Sequence, residues 1–312
     1  MSGYLAELTI RLAQGIELID PKIRQRHTSL VLAAQRPDGG FVGRAEDSDL
    51  YYTAFALRSL AILGQLEGSV ADSAAQFLQG RLTGRESIVD FLSLIYGATL
   101  LELAAGIDIF ADASANWRDS VDQALGELRR EDGGFAKAAE GKASSTYHTF
   151  LVLLCLELIQ RPITRPEEIV QFLHSQRCDE GGFREIRVSK RAGTNPTAAA
   201  IGALRILDAL DPEIAAETID FLADMQTDEG GLRANTRIPI ADLLSTFTGL
   251  LTCDDLGGTS EIDLPHVQRF VQSLEIDEGG YLGAAWDQQC DVEYTFYGLG
   301  TQALLNNLIH AS

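Results

Sequence analysis

Basic residues and closely spaced cysteines are scarce in this chain. Only 25 of its 312 residues are Lys or Arg, against 45 Asp or Glu, which gives a formal net charge of −20 at pH 7. Nucleic acids and anionic membrane surfaces are bound through clustered cations, so this balance argues against both as partners. The four cysteines show no Cys-x-x-Cys spacing and are too few for a disulfide scaffold. We therefore expect a protein of the reducing cytoplasm.

Long hydrophobic runs are also missing. No uninterrupted apolar run reaches 18 residues, and residues 1–12 carry Glu7 before any basic residue and contain no apolar signal segment. From these absences we expect that the protein is not secreted and does not span a membrane. Hydrophobic residues nevertheless make up 46% of the chain, which is enough for a large core.

What the chain does contain is a repeated motif of Asp or Glu, two glycines, and an aromatic residue or leucine. It recurs at residues 38–41, 132–135, 180–183, 229–232 and 278–281. The last four copies begin 48, 49 and 49 residues apart, and the first two begin 94 apart, which is twice 47. A degenerate unit near Gln79-Gly80 is expected between the first two copies. The chain is therefore predicted to contain six repeats.

Each repeat has the pattern of two helices joined by the Gly-Gly loop. The first helix has one polar face and often begins at a proline, as at Pro166 and Pro212. The second is apolar around its circumference, as in 147–159 and 198–210, which predicts burial on several sides. Such alternation predicts two concentric layers with the apolar helices inside, either stacked as an open solenoid or closed into a ring. Closure is favoured because the last apolar helix, 294–309, offers no polar end cap.

The Gly-Gly-Phe repeats, preceded by glutamine in three copies and followed by Tyr-Thr or His-Thr, resemble the prenyltransferase and squalene-cyclase repeat. The resemblance covers essentially the whole chain and is closest to the β subunit of protein prenyltransferases, especially the Rab geranylgeranyltransferase type. It implies one all-α domain over residues 1–312, an (α/α)6 toroid of six helix-pair repeats around an apolar cavity that holds an isoprenoid. It also implies a helical α-type partner subunit, with a homodimer as the alternative. An unrelated helical repeat such as HEAT or TPR would lack the Gly-Gly motif.

The resemblance implies a zinc site that this chain matches only in part. The family's ligands are an Asp, a Cys two residues later and a His before Thr, and they fall at Asp242, Leu244 and Tyr294. A zinc site needs three or four N, S or O ligands, and two of the three are replaced here. We therefore expect no metal cofactor, with replacement ligands from Glu293 or Cys290 as the alternative that would retain zinc. Asp242 is also interpreted as the N-cap of an apolar helix.

Six cations lie in two loops that precede neighbouring apolar helices. They form the best candidate for an anionic headgroup site, because phosphate recognition needs positive charge or free backbone N–H groups. Ordinary solvated loop charge is the alternative. The family's own diphosphate-binding residues are only loosely matched in these loops. The six cations are Arg184, Arg187, Lys190, Arg191, Arg233 and Arg237.

The starts of the apolar helices align, and they place aromatic and titratable residues at two neighbouring repeat positions. These are Tyr52, His148 and Tyr294 at one position, and Tyr51, Tyr147 and Glu293 at the other. A histidine here suits a general base or a metal ligand, with a hydrogen-bonded structural histidine as the alternative. The tyrosines are expected to form an apolar wall with a polar tip. The catalytic candidates are His148, Asp242, Glu293 and Tyr294.

Two classes of function follow. The first is a prenyltransferase-like enzyme that binds a prenyl diphosphate, with the Lys and Arg loops on the diphosphate. The second is a non-catalytic lipid-binding or scaffold protein that keeps the barrel without its site. A cyclase of the squalene-hopene or diterpene type is a further alternative, although the Asp-x-Asp-Asp acid of those enzymes does not occur in the sequence.

Overall fold

The computed structural model describes residues 3–45, 47–81 and 87–311. These residues contain thirteen α-helices, one short 3₁₀ helix, and an antiparallel ladder of β1 (Phe135–Ala136) and β2 (Ser144–Ser145). Helix α1 (Tyr4–Glu17) precedes six helix pairs, one for each predicted repeat, including the degenerate second one. The pairs are α2 (Pro21–Ala33) with α3 (Leu50–Ile62), α4 (Gly68–Gln79) with α5 (Ile88–Ala105), α6 (Trp117–Gly126) with α7 (Thr146–Leu158), α8 (Pro166–Ser175) with α9 (Thr194–Ile206), α10 (Pro212–Ala223) with α11 (Leu243–Asp255), and α12 (Leu264–Leu274) with α13 (Val292–Ala311).

In five of the six pairs the first helix is amphipathic, the exception being the more uniformly polar α2, and the second helix of the pairs is apolar, as the sequence predicts. In α10, Pro212 takes the first helical position, where proline loses no hydrogen bond, and the Asp211 carboxylate caps the helix by accepting from the Glu213 N–H at 2.7 Å. On α8 the buried residues Ile169, Phe172 and Leu173 lie on one face. The apolar α9, in contrast, is buried on several sides.

The contacts divide the chain into two compact units. Unit 1 comprises Met1–Ser114 with Val271–Ser312, and unit 2 comprises Ala115–Phe270. Within unit 1, α13 packs against both α1 and α3, so the last helix lies beside the first ones. Within unit 2, α9 packs against α7 and α11. A single domain over the whole chain stays a prediction.

The glycines of each motif bring their loop onto the next amphipathic helix. The first glycine has a φ between 88° and 103° in all five copies, a region that other residues rarely adopt. A Cβ on Gly133 would overlap the backbone carbonyl of Glu168 on α8, and a Cβ on Gly134 would overlap the Phe172 ring. The motif is therefore a joint between consecutive repeats. In unit 1 the motif of the sixth repeat makes the same contact with the first repeat, where Gly279 meets Arg26 of α2.

The aromatic or leucine residue of the motif is bonded to the apolar helix that follows it. The Phe135 N–H donates to Thr149 Oγ1 at 3.0 Å, and the same bond recurs at 2.9 Å in three other copies. Thr149 in turn donates to the Ser145 carbonyl at 2.7 Å. The Tyr-Thr and His-Thr sequences thus recur because threonine satisfies a buried loop N–H.

Helix α5 is the one helix in the described ranges that is long and apolar enough to cross a membrane, judged by length and composition. Its 18 residues have a mean hydropathy of 1.7. However, 56% of the helix is buried inside the protein. A buried core helix meets the same criteria of length and hydropathy, so these criteria alone do not distinguish the two.

Candidate functional site

A cavity of about 470 Å³ lies in unit 2 beside the first turn of α9. It is lined by the loop before α9 and by the loop before α11. Thr194 joins the second loop to α9, because its N–H donates to the Ala234 carbonyl at 2.9 Å and its hydroxyl to the Arg233 carbonyl at 2.6 Å. The cavity wall is thus built from two consecutive repeats.

Three of the predicted headgroup cations line this cavity. They are Lys190, Arg191 and Arg237, and Glu185 and Asn195 lie in the same wall. Arg191 Nη1 also donates to Thr236 Oγ1 at 2.9 Å, which connects the two loops. The structure therefore brings half of the predicted cluster together around one cavity.

The other three cations of the predicted cluster are placed differently. Arg184 donates to the Ser175 carbonyl at 2.7 Å, and Arg233 donates to the Asp224 carbonyl at 3.0 Å. Both guanidinium groups therefore satisfy carbonyls at the C-terminal ends of amphipathic helices, where a cation is favourable. Arg187 shares the loop before α9 but is not among the residues that line the cavity.

His148 lies at the start of α7 in a hydrogen-bonded group that the sequence did not reveal. Ser145 caps the helix, with its Oγ accepting from the His148 N–H at 3.1 Å and lying 2.7 Å from His148 Nδ1. The same hydroxyl donates to the carboxylate of Glu185. Because a hydroxyl has one proton and gives it to the carboxylate, Nδ1 of His148 must be the donor in the other bond. While Glu185 is ionised, the neutral ring therefore carries its proton on Nδ1.

Burial moves the pKa values of this group toward each other. It lowers the pKa of His148 from its ordinary value, with a smaller lowering from Lys137, and it raises the pKa of Glu185. Tyr147, the neighbour of His148, is 40% exposed, and its ring meets the imidazole edge-on at a centroid distance of 5.6 Å. One sequence signal could have identified Glu185, which is the single acid among four cations in residues 184–191.

Asp242 is the N-cap of α11. Its Oδ1 accepts from the Ser245 N–H at 2.7 Å and its Oδ2 from the Ser245 hydroxyl at 2.8 Å, while burial raises the pKa of the carboxyl. The other two zinc-ligand positions hold Leu244, which has no donor atom, and Tyr294. In the described part of the chain, no three His, Cys, Asp or Glu side chains are grouped to hold a metal ion. The residues at these positions do not fit zinc.

The remaining candidates lie in unit 1, at the starts of α3 and α13. The Tyr51 hydroxyl donates to Glu293 Oε1 at 2.6 Å, and burial raises the pKa of Glu293. The Tyr52 ring packs edge-on against Tyr51 at a centroid distance of 5.4 Å. The guanidinium of Arg44 lies 5.2 Å from the centre of the Tyr294 ring. Since His148 and Asp242 belong to unit 2, their convergence with Glu293 stays a prediction.

Arg44 was not singled out from the sequence, and it connects the loops of the first and sixth repeats in unit 1. Its Nη2 lies 2.5 Å from Asp287 Oδ2 and its Nε 2.6 Å from Asp291 Oδ2. These bonds raise the pKa of Arg44 and keep it charged. Arg44 thus forms a clasp, a set of two ion pairs that connects the two loops.

The family model of the prenyltransferase alpha-alpha toroid domain matches residues 7–93, 112–166 and 162–312. The chain belongs to this family. The match confirms the predicted resemblance and the α/α toroid fold class, and the thirteen helices described above agree with it.

Solved structures of other toroid proteins share the fold. Candida albicans protein geranylgeranyltransferase-I complexed with GGPP has a TM-score of 0.72 at 14% identity, over 91% of this chain and 92% of that chain. A variant of the type II terpene cyclase MstE from Scytonema, in complex with geranylgeranyl dihydroxybenzoate, has a TM-score of 0.63 at 13% identity, over 97% and 99%. An alpha-1,6-mannanase from Salegentibacter has a TM-score of 0.64 at 13% identity, over 92% and 99%. No curated protein matches the sequence. At these identities the likeness shows the fold alone.

Proposed function

We propose that this toroid-family protein binds a prenyl diphosphate and transfers its prenyl group, with the diphosphate held in the cavity of unit 2. The observation that carries the proposal is the placement of Lys190, Arg191 and Arg237 around one cavity of about 470 Å³. In a chain with a net charge of −20, three cations that line one cavity are a marked local exception. An anionic ligand is the chemistry that such a wall recognises.

The cavity suits a diphosphate in size and in donors. Its volume lies within the range of about 300–1,000 Å³ that small-molecule sites occupy. The two guanidinium groups each offer paired N–H donors that match phosphate oxygens. Gly193 at the N-cap of α9 has no capping side chain, so the positive end of this 13-residue helix adds to the field of the cations.

The toroid fold by itself leaves the substrate class open. One structure that shares it holds GGPP and another holds geranylgeranyl dihydroxybenzoate, whereas a third is a mannanase. Function must therefore be argued from the site and not from the fold. A cluster of three cations favours a charged prenyl donor over a neutral sugar. The position of the isoprenoid chain in a central cavity remains part of the proposal.

Transfer requires the bond between the prenyl carbon and the diphosphate oxygen to break. Negative charge then develops on the departing diphosphate, and Lys190, Arg191 and Arg237 are placed to stabilise it. The thiolate chemistry that zinc provides in protein prenyltransferases has no fitting ligand set here, so no step is assigned to a metal. The acceptor is therefore proposed to be a nucleophile other than a zinc-bound thiolate.

The test is calorimetric binding of farnesyl and geranylgeranyl diphosphate to the intact chain, with farnesol as the uncharged ligand. K190Q, R191Q and R237Q are each expected to weaken diphosphate binding about tenfold or more, since each removes a charge-assisted contact. R187Q is the matched comparison, because Arg187 shares the loop but does not line the cavity. It is expected to change affinity less than about twofold.

Two results would contradict this function. If R187Q weakens binding as much as R191Q, general loop charge and not the cavity attracts the ligand. If farnesol binds as tightly as farnesyl diphosphate, the non-catalytic lipid-binding alternative is favoured.

Transfer of the prenyl group is tested separately. Small alcohols, amines and phenols are supplied as acceptors, and the products are identified by mass spectrometry.

A further inference from the structure

We infer that Glu185, Ser145 and His148 form a proton relay that reaches the cavity of unit 2 at Glu185 and serves a bound phosphate or diphosphate. The identity of the ligand rests on the proposed function. The relay itself rests only on contacts inside unit 2. The group that faces the ligand is Glu185, which lines the cavity, while Ser145 and His148 act through it.

The three side chains are held together by backbone pairing between two repeats. Thr146 donates from its N–H to the Glu185 carbonyl at 2.9 Å and from its hydroxyl to the Arg184 carbonyl at 2.7 Å. This fixes the loop before α9 against the first turn of α7, although the two segments lie about 40 residues apart in sequence. The Glu185 carboxylate also accepts from the Tyr147 N–H. Ser145 is only 5% exposed, which shields its hydroxyl from water.

The transfer balances without any other reactant. In one state His148 is an imidazolium and Glu185 a carboxylate. The Ser145 hydroxyl gives its proton to Glu185 Oε1 and takes the Nδ1 proton of His148, so the hydroxyl is restored. The second state has a neutral His148, protonated on Nε2, and a carboxylic acid at Glu185. Only O–H and N–H bonds change, and burial brings the two states closer because it opposes both charges.

The charged groups around the relay explain how a bound ligand would change its protonation. Lys137 faces His148 and opposes its protonation. An anion held by Lys190, Arg191 and Arg237 would place negative charge in the cavity wall that also contains the Glu185 carboxylate. A bound diphosphate therefore favours the acid form of Glu185, which can donate to a diphosphate oxygen. As the bond from the prenyl carbon to that oxygen breaks, this proton, which came from His148 through Ser145, neutralises the leaving group and leaves Glu185 as a carboxylate.

The first experiment measures proton uptake when the intact chain binds farnesyl diphosphate, by calorimetry in two buffers of different ionisation enthalpy. The wild type is expected to take up a proton fraction that E185Q loses, because glutamine cannot be protonated. E185Q is also expected to bind about tenfold more tightly above neutral pH, since one like charge has been removed. E229Q is the matched control, because Glu229 accepts from the Ala241 N–H at 2.8 Å in the next repeat and does not line the cavity.

The second experiment follows the imidazole nitrogens of His148 by ¹⁵N NMR, with H148Q for assignment. In the absence of ligand and with Glu185 ionised, the neutral ring is expected to be the Nδ1–H tautomer in the wild type and to shift toward Nε2–H in S145A. The pKa of His148 is expected to fall in E185Q, because this variant lacks the carboxylate that stabilises the imidazolium. S145T keeps the hydroxyl and the helix cap, so it should retain the wild-type spectrum and separates the relay from folding effects.

The outcomes distinguish the relay from the proposed function. Coupled titration together with loss of proton uptake in E185Q supports both. If farnesyl diphosphate fails to bind but His148 responds to E185Q and S145A, the relay stands and the prenyl diphosphate assignment falls. If His148 titrates identically in the wild type, S145A and E185Q, or if E185Q and the wild type take up equal protons on binding, the relay is refuted.

Discussion

Replacing Gly133 by alanine is expected to destabilise the protein much more than the same change at Gly106. Both glycines have a positive φ, of 89° and 70°, so alanine at either position costs about 1–2 kcal/mol of backbone strain. Nothing lies within 4 Å of a Cβ added at Gly106, whereas at Gly133 it would overlap the backbone of Glu168. A carbonyl on a helix cannot rotate away, so α8 must shift, at a further cost of about 2 kcal/mol.

The expected losses of unfolding free energy are therefore about 1–2 kcal/mol for G106A and about 3–4 kcal/mol for G133A. Urea unfolding followed by circular dichroism measures both under one set of conditions. G181A, whose Cβ would meet the Glu217 carbonyl, should resemble G133A. Equal midpoints for G106A and G133A would refute the conclusion that the motif joins repeats, and would leave its glycines with a turn-forming role only.

Two further predictions concern unit 1. R44A is expected to lower the unfolding free energy by about 2 kcal/mol, because the Asp291 carboxylate, with a side chain only 1% exposed, loses its cationic partner. R44K should recover part of this loss. An unchanged melting temperature in R44A would show that the clasp is not stabilising. Burial and Arg26 lower the pKa of His27 to about 4, so the folded state binds fewer protons than an unfolded chain with the ordinary value of 6.5. The stabilisation from neutral His27 is then complete above pH 6.5 and is lost, up to about 3 kcal/mol, as the pH falls toward 4. H27Q, whose side chain can still accept the Gly280 N–H, should flatten this slope in urea titrations between pH 4 and 7, and an identical slope in H27Q would contradict the assignment.

The six-repeat architecture was predictable because each motif residue meets a local conformational or hydrogen-bonding need, and the same need recurs in every copy of the motif. Gly133 needs a positive φ, Phe135 needs an acceptor for its N–H, and Thr149 supplies it fourteen residues later. Proline at the first helical turn and the apolar periodicity of the second helix are likewise short-range signals. The same signals placed Asp242 correctly as a helix cap.

The candidate site was predictable only in part. The cation cluster was visible as composition, but six basic residues looked equivalent. Arg233 is turned to a helix end by a carbonyl nine residues earlier, while Arg237 lines the cavity. Glu185 meets Ser145 across 40 residues and Arg44 meets Asp291 across 247. No local pattern in the sequence indicates such pairs, because they form only where another repeat brings its side chain within reach.

By itself, the sequence determined the helix pairs, their period and the family, since φ preference, capping and apolar periodicity are properties of short segments. Only the tertiary structure decided which loop charges face a cavity, which cap helices, and that a serine links a histidine to a glutamate. Those outcomes depend on how consecutive repeats pack, and the Gly-Gly joint brings their loops within hydrogen-bond distance. The chemistry of this protein therefore depends on contacts between repeats, and the sequence of any one repeat does not contain them.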